Sequence, residues 1–220
     1  MGYNIAIDGP AGAGKSTIAK LVAKELGYIY VDTGAMYRGM AIYFLKQNIN
    51  RDEKEKIAEA SKDAKVSIAY EGGIQQIYLN GENVTDMLRK EEVGNMASVS
   101  SAVPEVRAQL LALQRNLAAT ENVVMDGRDI GTNILPNADT KIYLTASVET
   151  RAKRRFLELK EKGVACNMED IAKDIEERDY RDMHRDIAPL KQAEDAVLVD
   201  SSNMTIEEVV YKILSHCKTA

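Results

Sequence analysis

Ile7-Asp8-Gly9-Pro10-Ala11-Gly12-Ala13-Gly14-Lys15-Ser16-Thr17 is the stretch whose reading decides the fold. It contains the pattern Gly-x4-Gly-Lys-Ser, which is specific only when a strand precedes it and a helix follows. Both conditions hold. An apolar, strand-like run over residues 3–8 leads in, and a helical pattern runs out to about Leu26, where Gly27 is placed to stop it. Gly9, Gly12 and Gly14 let the backbone turn so that successive N–H groups point inward, and the helix start adds partial positive charge. Gly9, Pro10, Ala11, Gly12, Ala13, Gly14, Lys15, Ser16 and Thr17 are therefore expected to cradle the phosphates of a nucleoside triphosphate. Lys15 is expected to reach the β- and γ-phosphates, with the Ser16 hydroxyl on Mg²⁺.

Working outward, short apolar runs alternate with amphipathic stretches, the pattern of an α/β fold with a parallel sheet. Core strands are expected at residues 3–8, 28–32, 123–126, 141–145 and 196–200. Helices are expected from Thr33, over 148–162, over 168–187 and over 206–216. One segment departs from the alternation. Residues 66–70, 76–80 and 82–84 are β-like, with turn signals at Gly72-Gly73 and Asn80-Gly81. This predicts a small antiparallel meander inserted between helices of the core. The charged run over 51–56 reads as a solvated helical face.

Composition bounds the function. The 220 residues suit one domain with insertions, and the formal net charge of −5 argues against sequence-independent nucleic-acid binding. No run approaches the ~20 apolar residues of a membrane helix, and the start of the chain carries no leader pattern. Cys166 and Cys217 form no Cys-x-x-Cys pattern and read as free thiols of a reducing, cytoplasmic compartment. Two histidines cannot supply a usual zinc site.

Four further elements carry arginine. Asp32-Thr33-Gly34-Ala35-Met36-Tyr37-Arg38 lies at the end of an expected strand, where ligands of parallel sheets gather. Thr33 is a natural helix N-cap there, and Arg38 lies one turn beyond. Pro104-Glu105-Val106-Arg107 places a cation in a first helical turn, against the helix dipole, so a bound anion or base would justify it. Asp126-Gly127-Arg128-Asp129-Ile130-Gly131-Thr132 follows an apolar strand, with Asp126 at its end. In Arg178-Asp179-Tyr180-Arg181-Asp182-Met183-His184-Arg185-Asp186, the spacing puts Arg178, Arg181 and Arg185 on one helical face. Ion pairing along that helix, Arg178 with Asp182 for example, is the competing reading. Arg151, Arg154 and Arg155 form a similar cluster on the helix before.

Together these motifs, with Ala188-Pro189-Leu190 and Val199-Asp200-Ser201, resemble those of the bacterial cytidylate kinases, in the nucleoside monophosphate kinase branch of P-loop proteins. The resemblance runs nearly end to end. It implies a P-loop fold with a five-stranded parallel core, a monophosphate-binding insert at about 63–85 and a lid at about 153–166. It implies that Thr33, Ser98, Arg107 and Asp129 meet the nucleoside or base, and that Arg38, Arg128, Arg178 and Arg185 meet phosphate or nucleotide. Asp182 would hold the sugar hydroxyl. Lys15, Arg128, Arg178 and Arg185 would form the catalytic set. The implied reaction moves the γ-phosphoryl group of ATP, with Mg²⁺, onto CMP or dCMP, in a cytoplasmic monomer. A P-loop kinase for another small acceptor is the alternative. A guanine-nucleotide switch is less favoured, since Asn-Lys-x-Asp is missing.

Overall fold

Asn4–Asp8 (β1) alternates between two cores: Ala6 faces one, and Ile5 and Ile7 face the other. Such burial on both sides is what a central parallel strand requires. The computed structural model describes residues 2–217. From β1 the chain runs through α1 (Lys15–Leu26), β2 (Ile29–Asp32), α2 (Thr33–Lys46) and α3 (Lys54–Ser61). The insert follows as β3 (Val66–Glu71), β4 (Ile74–Leu79) and β5 (Glu82–Asn83). Helices α4 (Glu91–Ser100) and α5 (Pro104–Thr120) return the chain to β6 (Val123–Gly127) and β7 (Thr140–Thr145). Helices α6 (Val148–Glu161) and α7 (Met168–His184), strand β8 (Val197–Asp200) and helix α8 (Ile206–Leu214) complete it.

The five expected core strands are all present, parallel, in the order β2-β6-β1-β7-β8. The chain leaves β1 toward β2 on one side and later reaches β7 and β8 on the other. The order therefore reverses beside β1, which opens a crevice at the carboxyl ends of β1 and β6. On one face α2, α4 and α5 bury Met36, Met40, Phe44, Met96 and Leu110. On the other, α1 and α8 bury Ile18, Val22, Val209 and Ile213.

The meander forms a separate three-stranded antiparallel sheet, β3-β4-β5. Its second turn has Asn80 and Gly81 both at positive φ, 49° and 85°, as an Asn-Gly hairpin turn demands. The sheet is tied to the outer edge of β2 by side chains. Gln75 accepts from the Asp32 N–H at 2.8 Å and donates to the Asp32 carbonyl at 3.1 Å. Tyr70 donates its hydroxyl to the Tyr30 carbonyl at 3.0 Å.

Three helix expectations need correction. The run expected over 168–187 stops at His184, where Arg185 turns extended and its side chain bonds to the Ala188 carbonyl. In the 51–56 run only the part from Lys54 is helical. The last helix ends at Leu214.

Candidate active site

The crevice is a cavity of about 330 Å³, lined on one side by the loop after β1 and on the other by α2, α4, α5 and α7. Gly9 passes so close to β7 that a Cβ there would lie 1.9 Å from the Leu144 carbonyl oxygen. Gly14, left-handed at φ 88°, is the N-cap that launches α1. Ala11, Gly12, Gly14, Lys15, Ser16 and Thr17 face the cavity, whereas Gly9, Pro10 and Ala13 are buried behind them and shape the loop. Lys15 is itself buried and donates to the Pro10 carbonyl at 2.7 Å. Burial, then the neighbouring Arg128 charge, pushes its ammonium down to about 7.

Ser16 donates to Asp126 Oδ2 at 3.1 Å, and Tyr30 donates to the other oxygen at 2.8 Å. Burial and the nearby Asp32 push Asp126 up to about 6. One hydroxyl and one carboxylate side by side are hard oxygen donors, which suit Mg²⁺ when phosphate and water supply the rest of its shell. The described residues contain no cluster of three His, Cys, Asp or Glu that could hold a metal alone.

Every residue expected on the acceptor side lines the same cavity: Thr33, Arg38, Ser98, Arg107, Arg128, Asp129, Arg178, Asp182 and Arg185. Their arrangement revises two expectations. The N-cap of α2 is Asp32, whose Oδ1 accepts from the Ala35 N–H at 2.9 Å. Thr33 instead donates to the Asp126 carbonyl at 2.8 Å and ties α2 to the end of β6. The three arginines of the 178–186 run also separate. Arg178 is in the cleft, Arg181 donates to the Glu177 carbonyl on the exposed side, and Arg185 lies past the helix end.

Two clusters result. Asp129 is buried between Arg107 and Arg185, which pair with its two oxygens, and Asn133 Nδ2 adds a bond at 3.1 Å. Arg107 sits over the Tyr37 ring, 5.7 Å from its centroid. This is a polar pocket with a carboxylate flanked by donors. Nearer the phosphate loop, Arg128 pairs with Asp182 at 2.8 Å. Arg178 does not pair with Asp182 as the spacing allows. Arg38 and Arg178 join no ion pair among the described residues, and Arg178 Nε is buried without any hydrogen-bond partner. Burial, followed by repulsion from Arg128 and Arg38, pushes the Arg178 guanidinium down to about 10. A buried donor left unpaired beside other cations is costly, and a multiply charged anion is the partner that relieves it.

Sequence reasoning passed over Asp8 as part of the scaffold of the site. Its carboxylate accepts from the Ile130 and Gly131 N–H groups at 2.8 and 2.7 Å, and so grips the π-type turn Ile130–Ile134 that follows Asp129. Burial pushes this carboxyl up to about 6 against those two bonds. The signal available was its place, last in the strand before the loop. Tyr30, Tyr37 and Ser101 were also missed as site residues; Ser101 lies one helical turn from Ser98.

The chain is similar to known proteins in sequence and in fold. The cytidylate kinase family model matches residues 5–219. A cytidylate kinase of Caldicellulosiruptor saccharolyticus is 53% identical over 96% of this chain and 93% of its own length. One of Ligilactobacillus salivarius is 51% identical over 96% and 94%. A solved structure of an uncharacterized protein from Eubacterium ventriosum shares the fold, with a TM-score of 0.56, 13% identity and 99% coverage of both chains. The match over almost the whole length, with relatives above half identity, places this chain in the cytidylate kinase family.

Proposed function

We infer that the chain transfers the γ-phosphoryl group of ATP to CMP or dCMP, giving ADP and CDP or dCDP. The observation that carries this reading is that Lys15, Arg38, Arg128 and Arg178 line one cavity, with Arg38 and Arg178 outside the ion pairs of the described residues and Arg178 Nε buried without a partner. A donor phosphate on the loop and an acceptor phosphate on the arginines would meet between them.

An acceptor phosphate oxygen is ionised at neutral pH, so its attack needs no general base. A hydroxyl acceptor would call for a carboxylate. Every buried carboxylate lining this cleft is already engaged: Asp126 by Ser16 and Tyr30, Asp129 by Arg107 and Arg185, Asp182 by Arg128. That supports the phosphate acceptor over the alternative small-molecule kinase. The work of the protein is then alignment and charge neutralisation. Lys15 and the loop N–H groups hold the donor; Arg38, Arg128 and Arg178 hold the acceptor phosphate. Ser16, with Asp126 through bound water, would hold Mg²⁺, which when present supplies positive charge to the phosphate oxygens. Of the two partners expected for Arg185, phosphate or nucleotide, its bonds to Asp129 and the Ala188 carbonyl favour the base side of the nucleotide.

Cytosine offers an amino donor that a carboxylate can accept, and acceptors that arginine can serve; Asp129 between Arg107 and Arg185 matches that pattern. Asp182 is assigned the sugar hydroxyl and Ser98 the rim of the base pocket. The β3-β4-β5 sheet is assigned as the monophosphate-side insert, and residues 153–166, the larger part of α6 with the turn that leads to α7, as the lid that excludes water on closing. No described helix is long and apolar enough to cross a membrane. The two free thiols suit a reducing cytoplasmic compartment, and we assign the chain as a monomer there.

A panel of nucleoside monophosphates assayed with Mg-ATP tests the reading. CMP and dCMP are expected to yield diphosphate stoichiometrically with ADP, and UMP to lag. Failure of every pyrimidine acceptor would overturn it.

A further inference from the structure

Arg151 is not among the residues that line the cavity, yet it joins the two sides of the site. Its guanidinium is buried, with the side chain 4% exposed. Nε donates to the Ala146 carbonyl after β7 at 2.9 Å, and Nη1 donates to the Ala11 carbonyl in the phosphate loop at 3.0 Å. Nη2 pairs with Asp179 Oδ2 on α7 at 2.7 Å. The stem packs under the loop as well: a Cβ on Gly12 would lie 3.4 Å from Arg151 Cβ. Asp179 is adjacent to Arg178 and three residues before Asp182, the α7 residues that reach the cleft. Its other oxygen, Oδ1, is buried without a partner, so among the described residues this guanidinium is the side-chain partner that Asp179 has.

We propose that the Arg151–Asp179 pair is a positioning strut that couples occupancy of the phosphate loop to the placement of the acceptor-binding residues on α7. The chemistry runs through one peptide group. The Ala11 carbonyl and the Gly12 N–H belong to the same amide, and Gly12 faces the cavity. A phosphate drawing on that N–H polarises the amide and strengthens its carbonyl as an acceptor for Arg151. The planar fork of arginine then fixes Asp179 and, with it, the register of Arg178 and Asp182. Lysine, a point charge with no fork, cannot serve the loop, the β7 end and α7 in one geometry. Sites coupled in this way must show it reciprocally in binding, and a shared two-ended element is the physical warrant for expecting it.

The strut rests on the reading of the site as a donor loop facing a CMP pocket. Its test is calorimetric titration of CMP into the full chain, alone and with saturating ADP. In the unmodified protein ADP is expected to tighten CMP binding by roughly fivefold or more. In D179N and in R151K that ratio is expected to fall below about twofold, with CMP affinity in the absence of ADP changed by less than about threefold. Should D179N not fold, R151K, which keeps the buried positive charge, carries the test alone. A role confined to stability would lower Tm and leave the ratio intact. Such a retained ratio in a folded variant, or no coupling in the unmodified protein, overturns the proposal. Absence of any CMP binding by the unmodified protein is a different result: it removes the acceptor reading, and the strut with it.

Discussion

At the scale of single residues, Asp129 is the buried charge to which we assign the reading of the base. Alone it would be expensive in so enclosed a position, but Arg107 and Arg185 take both its oxygens. The same pairing holds the two arginines where base acceptors would meet them. Asp129→Asn keeps the shape, adds an amino group that can face a carbonyl, and leaves one arginine short of a partner. We expect the CMP-over-UMP ratio of kcat/KM to fall by about tenfold or more, since a site built for a particular hydrogen bond discriminates strongly by it. Steady-state assays with both acceptors measure this, and an unchanged ratio would take Asp129 out of base recognition. Loss of stability is expected as well, of about 3 kcal/mol, from the uncompensated buried charge.

At the scale of elements, the parallel core was legible because its strands are apolar on both faces and because the Gly-rich loop needs a strand before it and a helix after. The meander was legible from Gly72-Gly73 and Asn80-Gly81, whose positive φ values few other residues tolerate. Helix ends were less so. Thr33 and Asp32 are both good caps, and only the tertiary bond from Thr33 to the Asp126 carbonyl decides between them. The pairing of Arg128 with Asp182, 54 residues away, has no local signal at all. Nor has the grip of Asp8 on the turn after β6, which joins two elements remote in sequence. That grip carries a pH dependence. The folded Asp8 carboxyl titrates near 6, pushed up by burial from 3.8, so the folded state holds its proton where the unfolded chain has released it. Its contribution to stability is therefore greatest below about pH 4 and is lost as pH rises to about 6, by on the order of 2–3 kcal/mol. Asp8→Asn cannot titrate, and it can accept only one of the two N–H groups without turning its own amide against the other. Denaturant unfolding at pH 4.5 and 7 is expected to show the unmodified protein losing stability relative to the variant across that interval. A constant difference between the two would show that Asp8 does not titrate there.

At the scale of the whole molecule, one sheet reversal beside β1 gathers residues from the start, middle and end of the chain into one cleft, and the family model spans almost the whole of the chain that supplies them. The attachment of the insert has a consequence of another kind. Strand β2 is the border of the parallel sheet, and among the described residues no further strand pairs with its outer side. Gln75 and Tyr70 occupy backbone groups of that strand with side chains, holding the Asp32 amide and carbonyl and the Tyr30 carbonyl. An uncovered border of this sort is a template on which a second chain can add a strand. Covering that border is expected to help keep the chain from self-associating. Replacing Gln75 and Tyr70 together with Ala and Phe is expected to leave a folded protein that self-associates with rising concentration, visible as growing light scattering on storage. A variant that stays clear and monodisperse at high concentration would show that the border is protected by the bulk of the insert rather than by these two side chains.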